Sequence, residues 1–243
     1  MPVTIEGSRV LVTGAARGLG RAFTEELLRR GAATVYGGAR DPAAITVPGV
    51  VPVRLDITDG ADVRAAAGRC CDVDVLVNNA GVMSLSPLLS APGTDQARAQ
   101  METNYFGTLA MCRAFAPVLG KNGGGALVNI LSVVAWFAMP FNSSYCASKS
   151  AAWSLTNAAR TELRRQGTLV TGVFAGLVDT EMSAAAGAPR TSCESVVAQT
   201  LDGIEAGAEE ILADDRSRAV KAALPHDLTA VYPALQKLWD AFH

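Results

Sequence analysis

Seven short apolar runs, separated by longer segments with helix-like patterns, are the feature that most constrains the fold of this chain. The runs read RVLVTG, ATVYG, VVPVRLD, VDVLVNNAG, GALVNILS, LVTGVFAG and EEILAD. Strands that are apolar over nearly their whole length are typical of a parallel sheet, because each connection between parallel strands must cross a face of the sheet and cover it. The sequence therefore predicts a doubly wound α/β fold with about seven parallel strands and helices on both faces.

The segments between these runs predict helices over residues 19–30, 95–119, 144–166 and 193–206. No linker or repeat divides the chain, so we expect residues 1–243 to form a single domain. Residues 182–192 contain Ala, Gly and Pro and follow the sixth apolar run, at the edge where ligands bind in such sheets. We expect this connection to be mobile.

The composition narrows both the class of protein and its compartment. Hydrophobic residues make up 49% of the chain and charged residues 18%, which suits a large buried core. A net charge of −2 without Lys/Arg-rich runs argues against nucleic-acid binding. The five cysteines include no CxxC pair and the two histidines are isolated, so we expect no metal site and a reducing compartment. The first residues lack the pattern of a signal peptide, and no run of about 18 apolar residues occurs, which predicts a cytoplasmic protein without a membrane span.

A glycine-rich turn, TGAARGLG, follows the first apolar run and leads directly into a predicted helix. Glycines at such a turn let the backbone approach a phosphate closely, and the helix presents free N–H groups to negative charge. The turn therefore predicts a site for a dinucleotide pyrophosphate, although any tight turn would also favour glycine. Its spacing is G-x-x-x-G-x-G and differs from the more widespread G-x-G-x-x-G.

Tyr145 and Lys149 stand four residues apart at the start of a predicted helix, in the stretch SSYCASKSAAWSLT. Residues at this spacing share one face of a helix, so the phenol and the ammonium can lie in one pocket. A phenol with its usual pKa of about 10 exchanges protons poorly at neutral pH, and a neighbouring ammonium favours the phenolate. The pair is suited to the proton transfer that carbonyl reduction requires, with a chance spacing on a surface helix as the alternative.

Six motifs occur in one order along the chain: TGAARGLG, Asp56 at the end of VRLD, NNAG, Asn104 in TNYFG, Ser132 after the fifth run, and Tyr145-x-x-x-Lys149. In this combination the chain resembles the short-chain dehydrogenase/reductase family over nearly its whole length. The resemblance implies a Rossmann-type fold and an oxidoreductase that uses NAD(P)(H). One departure lies in FAGLVDT, where the family usually has Pro-Gly and this chain has Ala175-Gly176.

The resemblance also implies roles for individual residues. Tyr145 would be the general acid/base, and Ser132 would bind the substrate oxygen. Lys149 would reach the nicotinamide ribose, and Asn104 would anchor a water that links Lys149 to solvent. The residues expected to contact the cofactor are Gly14, Arg17, Gly18, Leu19, Gly20, Arg40, Asp56, Ile57, Asn78, Ala80, Gly81, Tyr145, Lys149, Gly176, Val178 and Thr180.

The end of the second apolar run, VYGGARD, bears on cofactor choice. An acidic side chain at this point would bind the ribose hydroxyls of NAD and repel a 2′-phosphate. Here that position is Ala39, and Arg40 follows it with a guanidinium suited to bidentate phosphate binding. Arg17 in the glycine turn is a second candidate cation. We therefore expect NADP(H) in preference to NAD(H), unless a shift of register by two residues brings Asp41 to the ribose.

Together these features predict an NADP(H)-dependent oxidoreductase that interconverts a ketone or aldehyde and an alcohol. The alternatives are imine reduction, epimerisation or dehydration on the same scaffold, and a nucleotide-sensing regulator without catalysis. By resemblance, the helices over 95–119 and 144–166 would pair subunits into a homodimer or homotetramer. Apolar candidates for the pocket predict a small apolar substrate, although Trp136 and Phe137 could equally be packing or subunit contacts. These candidates are Val133, Val134, Trp136, Phe137, Met139, Phe141 and Met182.

Overall fold

One parallel sheet contains all the strands of the computed structural model, which describes residues 3–183 and 189–241. The strands are β1 (Arg9–Thr13), β2 (Thr34–Ala39), β3 (Val50–Arg54), β4 (Val75–Asn78), β5 (Ala126–Ile130), β6 (Leu169–Phe174) and β7 (Glu210–Leu212). Their order across the sheet is β3-β2-β1-β4-β5-β6-β7. Because the order reverses between β1 and β4, the connections leave these strands on opposite faces and a crevice opens at their carboxyl ends. The predicted fold class is confirmed.

Nine α-helices occur in the described residues. They are α1 (Gly18–Arg29), α2 (Gly60–Arg69), α3 (Asp95–Met101), α4 (Thr108–Lys121), α5 (Ser143–Leu163), α6 (Cys193–Glu205), α7 (Asp215–Ala223), α8 (Asp227–Ala230) and α9 (Tyr232–Asp240). A π-helical turn, Glu102–Gly107, joins α3 to α4, so the helix predicted over 95–119 is widened in its middle. Such turns are frequent at functional sites. None of the described helices is both long and apolar enough to cross a membrane.

The sequence patterns do not predict α2 or the C-terminal helices α7 to α9. α2 follows Asp59, whose side chain accepts a hydrogen bond from the Ala61 N–H, and it buries only Val63 and Ala66. In α7 the buried residue is Ser217, and α8 and α9 have no fully buried residue. α2 and α7 bury too little apolar surface to show the 3.6-residue periodicity on which the prediction depends, and α8 is too short to show it. α9 does have apolar residues at helical spacing, including Leu235 and Leu238, and the sequence interpretation misses it.

Successive residues of the central strand enter different cores, because side chains alternate across a strand. Val10 and Val12 of β1 lie in a cluster with Phe23, to which α1 and α6 contribute. Leu11 lies in a second cluster with Phe115, to which α2 and α4 contribute. Helices therefore cover both faces of the sheet.

A third apolar cluster lies beyond the carboxyl ends of β5 and β6 and supports the region of the candidate site. It joins the residues after β5, including Trp136, to Phe174 at the end of β6. Val220 of α7 and Leu235 of α9 pack against it. The C-terminal helices therefore cover the segment that leads from β5 into α5.

Phe115→Ala tests the assigned core. It should lower the free energy of unfolding by about 3–5 kcal/mol, because it removes a large, fully buried ring and leaves a cavity. Urea unfolding followed by circular dichroism measures the change. The control is Leu89→Ala, at a side chain that is 95% exposed, and its effect should stay within about 0.5 kcal/mol. Equal effects of the two substitutions would contradict this core.

Candidate active site

The turn between β1 and α1 is shaped by three glycines. Gly14 and Gly18 have φ angles of 67° and 52°, which residues with side chains rarely adopt. A Cβ at Gly20 would lie 2.1 Å from the Gly14 carbonyl oxygen and 2.6 Å from Asn79 Nδ2, so no side chain fits there. The side chain of Arg17 does not cap α1. The first N–H groups of α1 are therefore free to bind an anion such as a phosphate.

Thr13 and Asn79, which belong to the TGAARGLG and NNAG motifs, hold this turn in place. Thr13 Oγ1 accepts hydrogen bonds from the N–H groups of Asn79 and Ala80, both at 3.0 Å. Asn79 Nδ2 donates to the carbonyl oxygens of Thr13 at 2.9 Å and Gly14 at 3.3 Å. These bonds fasten the end of β1 to the end of β4. The side chain of Leu19 packs in the core, which leaves its backbone to face the turn.

The first asparagine of NNAG, Asn78, is buried and supports the sheet. Its Nδ2 donates to Asn129 Oδ1 on β5 at 2.9 Å, and Asn129 Nδ2 donates to Thr156 Oγ1 on α5 at 2.9 Å. Thr156 donates in turn to the Ala152 carbonyl at 2.7 Å. This row of hydrogen bonds links β4, β5 and α5, so the Asn78 amide holds the strand ends in position.

Lys149 brings a buried ammonium to the carboxyl end of β5. The residue is 6% exposed, and its Nζ donates a hydrogen bond to the Ile130 carbonyl at 2.9 Å. Burial lowers the pKa of Lys149 from 10.5 to about 8. Nζ lies 5.8 Å from the centroid of the Tyr145 ring. The phenol and the amine therefore lie side by side on one face of α5, as their spacing predicts.

Tyr145 is held as a neutral phenol beside Ser132. Desolvation by burial raises the pKa of Tyr145 to about 12, Cys146 adds to the rise, and a hydrogen bond with Ser132 opposes it. The Ser132 hydroxyl also donates to the Ala175 carbonyl and accepts from the Val134 N–H, both at 3.4 Å. A hydroxyl carries one hydrogen. Ser132 can therefore donate either to the backbone or to an oxygen that lies beside Tyr145.

Asn104 lies in the π-helical turn and ties the loop after β4 to α5. Its Oδ1 accepts from the Val82 N–H and its Nδ2 donates to the Val82 carbonyl, both at 2.8 Å. The same Nδ2 donates to Ser148 Oγ at 2.9 Å. A Cβ at Gly81 would lie 3.1 Å from Asn104 Oδ1 and 3.7 Å from Lys149 Nζ. Asn104 therefore lies close to Gly81 and to the buried ammonium.

The segment after β6 reaches across to the glycine turn. A Cβ at Gly18 would lie 3.3 Å from Thr180 Cγ2, so the Thr180 side chain packs closely against the backbone of the glycine turn. Arg17, the predicted second cation, forms an ion pair with Glu181 at the surface. The two sides of the crevice thus meet, and the Arg17 guanidinium is already paired with a carboxylate.

Gly176 and Val178, also predicted cofactor contacts, are each held through their own backbone groups. The Gly176 N–H donates to Asp214 Oδ2 at 2.6 Å. Val178 forms a short parallel bridge with Thr191. Within the connection predicted to be mobile, residues 184–188 lie outside the described residues.

The end of β2 presents Arg40 to solvent. Ala39 is the last residue of the strand and is buried, and Arg40 follows it on the surface. Asp41 accepts a hydrogen bond from the Ala43 N–H at 3.0 Å and caps a short 3₁₀ turn. Its carboxylate is therefore engaged locally, which favours the register that places Arg40 at the cofactor.

Asp56 and Ile57 follow β3. Asp56 Oδ1 accepts from the N–H and the Oγ1 of Thr58, at 2.9 and 2.7 Å. These two bonds lower the pKa of Asp56, with a smaller contribution from Arg40. Ile57 is buried against the π-helical turn, where a Cβ at Gly107 would lie 2.8 Å from its side chain. Asp56 therefore carries a stable charge close to Arg40.

Of the two interpretations of Trp136, a residue of the substrate pocket or a packing residue, the structure favours packing. Its ring stacks on Phe174 with centroids 4.1 Å apart, and Lys221 Nζ lies 4.8 Å from the ring centroid. Phe137 is buried in the same cluster. Of the other pocket candidates, the buried ones are Val133 and Val134, and those at least partly exposed are Met139, Phe141 and Met182.

Most of the chain matches a single protein family. The model of that family, described as short chain dehydrogenase, covers residues 8–191, which include the glycine turn and the cluster around Tyr145. The chain belongs to the short-chain dehydrogenase family. This match confirms the predicted family and the class of enzyme, an oxidoreductase.

Proteins similar to this chain are named for several different activities. A short chain dehydrogenase from Burkholderia cenocepacia J2315, solved in complex with NADP, is 42% identical with a TM-score of 0.91, over 96% of this chain and 98% of that one. Sorbitol dehydrogenase from Cereibacter sphaeroides is 34% identical over 73% of each chain. The 2-(R)-hydroxypropyl-CoM dehydrogenase of Xanthobacter autotrophicus is 34% identical over 72% of this chain and 77% of its own. Several other relatives are longer, and the chain spans 34% to 62% of their length.

Lys149→Met tests whether the ammonium is buried as described. A lysine whose pKa is lowered from 10.5 to about 8 binds its proton less tightly in the folded state than in the unfolded state. The free energy of unfolding should therefore rise with pH between these two values, relative to the variant. We expect the wild type to gain about 2 kcal/mol on the variant from pH 8 to pH 10.

Urea unfolding of both proteins at several pH values measures this gain. Subtracting the variant removes the effect of other groups that titrate in the same range. The control is Lys121→Met at an exposed lysine of α4, for which no comparable trend is expected. A constant difference between wild type and Lys149→Met would show that the Lys149 ammonium is solvated.

Proposed function

We propose that the protein is an NADP(H)-dependent oxidoreductase that interconverts a ketone or aldehyde and an alcohol. The proposal rests on the meeting of Ser132, Tyr145 and Lys149 at the carboxyl end of β5, on the same sheet edge as the glycine turn. A nicotinamide-dependent reaction needs a place for the dinucleotide phosphates and a group that transfers a proton beside it. Both parts lie on this edge.

The described residues fit a dinucleotide with a 2′-phosphate. The space beside Gly20 admits backbone only, and the N-terminus of α1 faces the turn without a side-chain cap. Arg40 offers an exposed cation at the end of β2, where Ala39 supplies no competing carboxylate. The NADP complex of the 42% identical relative supports the same cofactor here. When bound, its nicotinamide would supply or accept a hydride.

Other residues would hold the two ends of the dinucleotide. Asp56 and Ile57 lie near Arg40 and would flank the adenine. Asn78 ends β4, and Ala80 and Gly81 follow it; these residues would support the ribose region, as the resemblance implies. The residues proposed for the nicotinamide end are Gly176, Val178 and Thr180.

Tyr145 would transfer the proton between substrate oxygen and solvent. In the direction of reduction, a phenol whose pKa is raised to about 12 is protonated and ready to donate. In the direction of oxidation it must first lose that proton, and the Lys149 ammonium favours the phenolate. The Ser132 hydroxyl would donate to the same substrate oxygen and stabilise its developing charge. Asn104 would hold a water between Lys149 and solvent.

A small apolar carbonyl compound or alcohol is the proposed substrate. Apolar side chains are exposed on the loops that follow β4 and β6, at the sheet edge where Tyr145 lies. Such a surface favours an apolar ligand. These side chains are Leu85, Leu88, Leu89 and Met182. Imine reduction, epimerisation and dehydration would use the same proton-transfer group, so a substrate screen includes them.

We also propose that residues 1–243 act as a single domain and that the protein forms a homodimer or homotetramer in the cytoplasm. The one sheet that joins the described strands supports a single domain. Phe106, which is 49% exposed beside α4, is an apolar side chain that a subunit contact would cover. The five cysteines are free, which suits a reducing compartment.

Tyr145→Phe tests the proton-transfer role. The substitution removes one oxygen, so the fold and the affinity for NADPH should persist while turnover falls by at least about 100-fold. NADPH consumption with a panel of ketones and aldehydes measures turnover, and fluorescence titration measures affinity. The control is Tyr36→Phe in β2, which removes only the hydrogen bond to Asp72 in the turn after α2 and should retain turnover. Equal turnover of Tyr145→Phe and the wild type would overturn the mechanism.

Arg40→Ala tests cofactor choice. A hydrogen bond to a charged group contributes about 1.5–3 kcal/mol, so the preference for NADPH over NADH should fall by roughly ten- to a hundred-fold. Ala39→Asp should shift the preference in the same direction by adding a ribose acceptor. Arg17→Ala should have a smaller effect, because its guanidinium is exposed and paired with Glu181.

The measurement is the ratio of kcat/KM for the two cofactors. Arg54→Ala, at the end of the neighbouring strand and paired with Asp62, is the matched control and should leave the ratio unchanged. A wild-type preference for NADH, or an unchanged ratio in Arg40→Ala, would show that Asp41 faces the ribose.

A further inference from the structure

The peptide unit between Ala175 and Gly176 is held at both ends. Its N–H donates to Asp214 Oδ2 at 2.6 Å. Its carbonyl accepts from the Val133 N–H at 3.0 Å and from Ser132 Oγ at 3.4 Å. A peptide unit is planar, so fixing its N–H also fixes the direction of its carbonyl. The carboxylate of Asp214 is therefore linked to the Ser132 hydroxyl through one rigid group.

Asp214 is itself placed firmly. The residue is 8% exposed, and its other oxygen, Oδ1, accepts from the Ser217 N–H at 2.6 Å. Ser217 Oγ accepts from the Asp214 N–H at 3.2 Å and donates to the Asp214 carbonyl at 2.8 Å, which completes a capping box at the start of α7. A carboxylate whose oxygens both accept from backbone N–H groups is well satisfied and rigid.

Capping α7 accounts for one oxygen of Asp214 and leaves the other unexplained. The cap requires Oδ1, whereas Oδ2 reaches a different segment of the chain, the loop after β6. The approach is close, since a Cβ at Gly176 would lie 3.2 Å from Asp214 Oδ2 and 2.9 Å from Arg216 Cδ. Ala175 adds no ring to restrict the backbone at this point. The carboxylate therefore supplies the constraint on the loop.

We propose that Asp214 is a positioning residue for the reaction, which orients the peptide unit between Ala175 and Gly176 and through it both Ser132 and the nicotinamide end of the cofactor site. The proposal rests on the proposed function, which places Gly176 at the nicotinamide. It assigns a role to a residue that follows β7 and that no motif of the sequence singles out.

Two ligands that both contain the adenosine half of the cofactor distinguish this positioning role from a general effect on protein stability. NADPH occupies the whole site, whereas 2′,5′-ADP carries the adenosine and its phosphates without nicotinamide. In Asp214→Ala the dissociation constant for NADPH should rise by roughly ten-fold, because the loop at Gly176 is no longer held in place and must be ordered when the nicotinamide binds. The dissociation constant for 2′,5′-ADP should change by less than about two-fold, because its contacts lie at the glycine turn and Arg40.

Two control variants accompany Asp214→Ala. Ser217→Ala removes the hydroxyl of the capping box but keeps both acceptor bonds of the carboxylate, so it should lower the unfolding temperature without changing either affinity. Asp215→Ala removes an exposed partner of Arg218 and should change neither. Should Asp214→Ala not fold, Asp214→Asn supplies the same comparison, because an amide has only one acceptor oxygen.

Several outcomes would overturn the proposal. These are unchanged NADPH affinity in the Asp214 variants, equal losses for NADPH and 2′,5′-ADP, or the same selective loss in Ser217→Ala. Failure of the wild type to bind NADPH would instead overturn the proposed function.

A double-mutant cycle tests the path through Ser132. If Asp214 acts through the Ser132 hydroxyl, Asp214→Ala should reduce kcat by roughly ten-fold in the wild type and by less than about two-fold in Ser132→Ala. Equal reductions in both backgrounds would show that the two residues act independently and would refute this path.

Discussion

The chemistry of the cleft depends on one buried charge, the ammonium of Lys149. Removing an ammonium from water is costly unless it finds hydrogen-bond partners, and in the described part of the chain its acceptor is the Ile130 carbonyl. An ammonium has three donors, so the site has capacity for further acceptors. The same burial lowers the pKa of Lys149 and raises that of Tyr145. Burial thus disfavours the charged form of both groups, yet near pH 7 Lys149 keeps its proton for the most part because its pKa of about 8 is still above that pH, and Tyr145 stays a neutral phenol. Acceptors that enter with a ligand would stabilise the ammonium further.

The parallel sheet explains why this charge lies where a dinucleotide could reach it. Parallel strands end at one edge, so the turn after β1, the Tyr145 pocket beside β5 and the loop after β6 converge without long excursions of the chain. Close contacts at glycines bring these parts together: Gly20 lies against the Asn79 side chain after β4, and Gly18 lies against the Thr180 side chain after β6. Polar side chains within the sheet, such as Asn78 and Asn129, fix the strand ends. The fold thus determines both where the Lys149 ammonium lies and how burial shifts its pKa.

Periodicity and motifs predict the sheet, the main helices and the groups around Tyr145, because these features are recorded in local sequence. α2 and α7 are not predicted because they bury too few apolar residues to show an apolar stripe, and α8 is too short to show one. α9 is amphipathic and is missed although its pattern is present in the sequence. Ser148 and Asp214 are not predicted for another reason. Their hydrogen bonds join segments far apart in the chain, and a lone polar residue gives no sign of such a partner. The packing of Trp136 also depends on the C-terminal helices.

Hydride transfer itself is the most direct measurement of the proposed reaction. Wild-type protein is incubated with a panel of ketones and aldehydes and with NADPH in which both hydrogens at the reduced carbon of the nicotinamide are deuterium. The products are examined by mass spectrometry. Transfer at the described site should yield an alcohol with one deuterium on the carbon that bore the oxygen, in an amount equal to the NADPH consumed. Tight binding of NADPH without deuterium in any alcohol would contradict an NADPH-dependent carbonyl reductase and would favour a nucleotide-binding regulator.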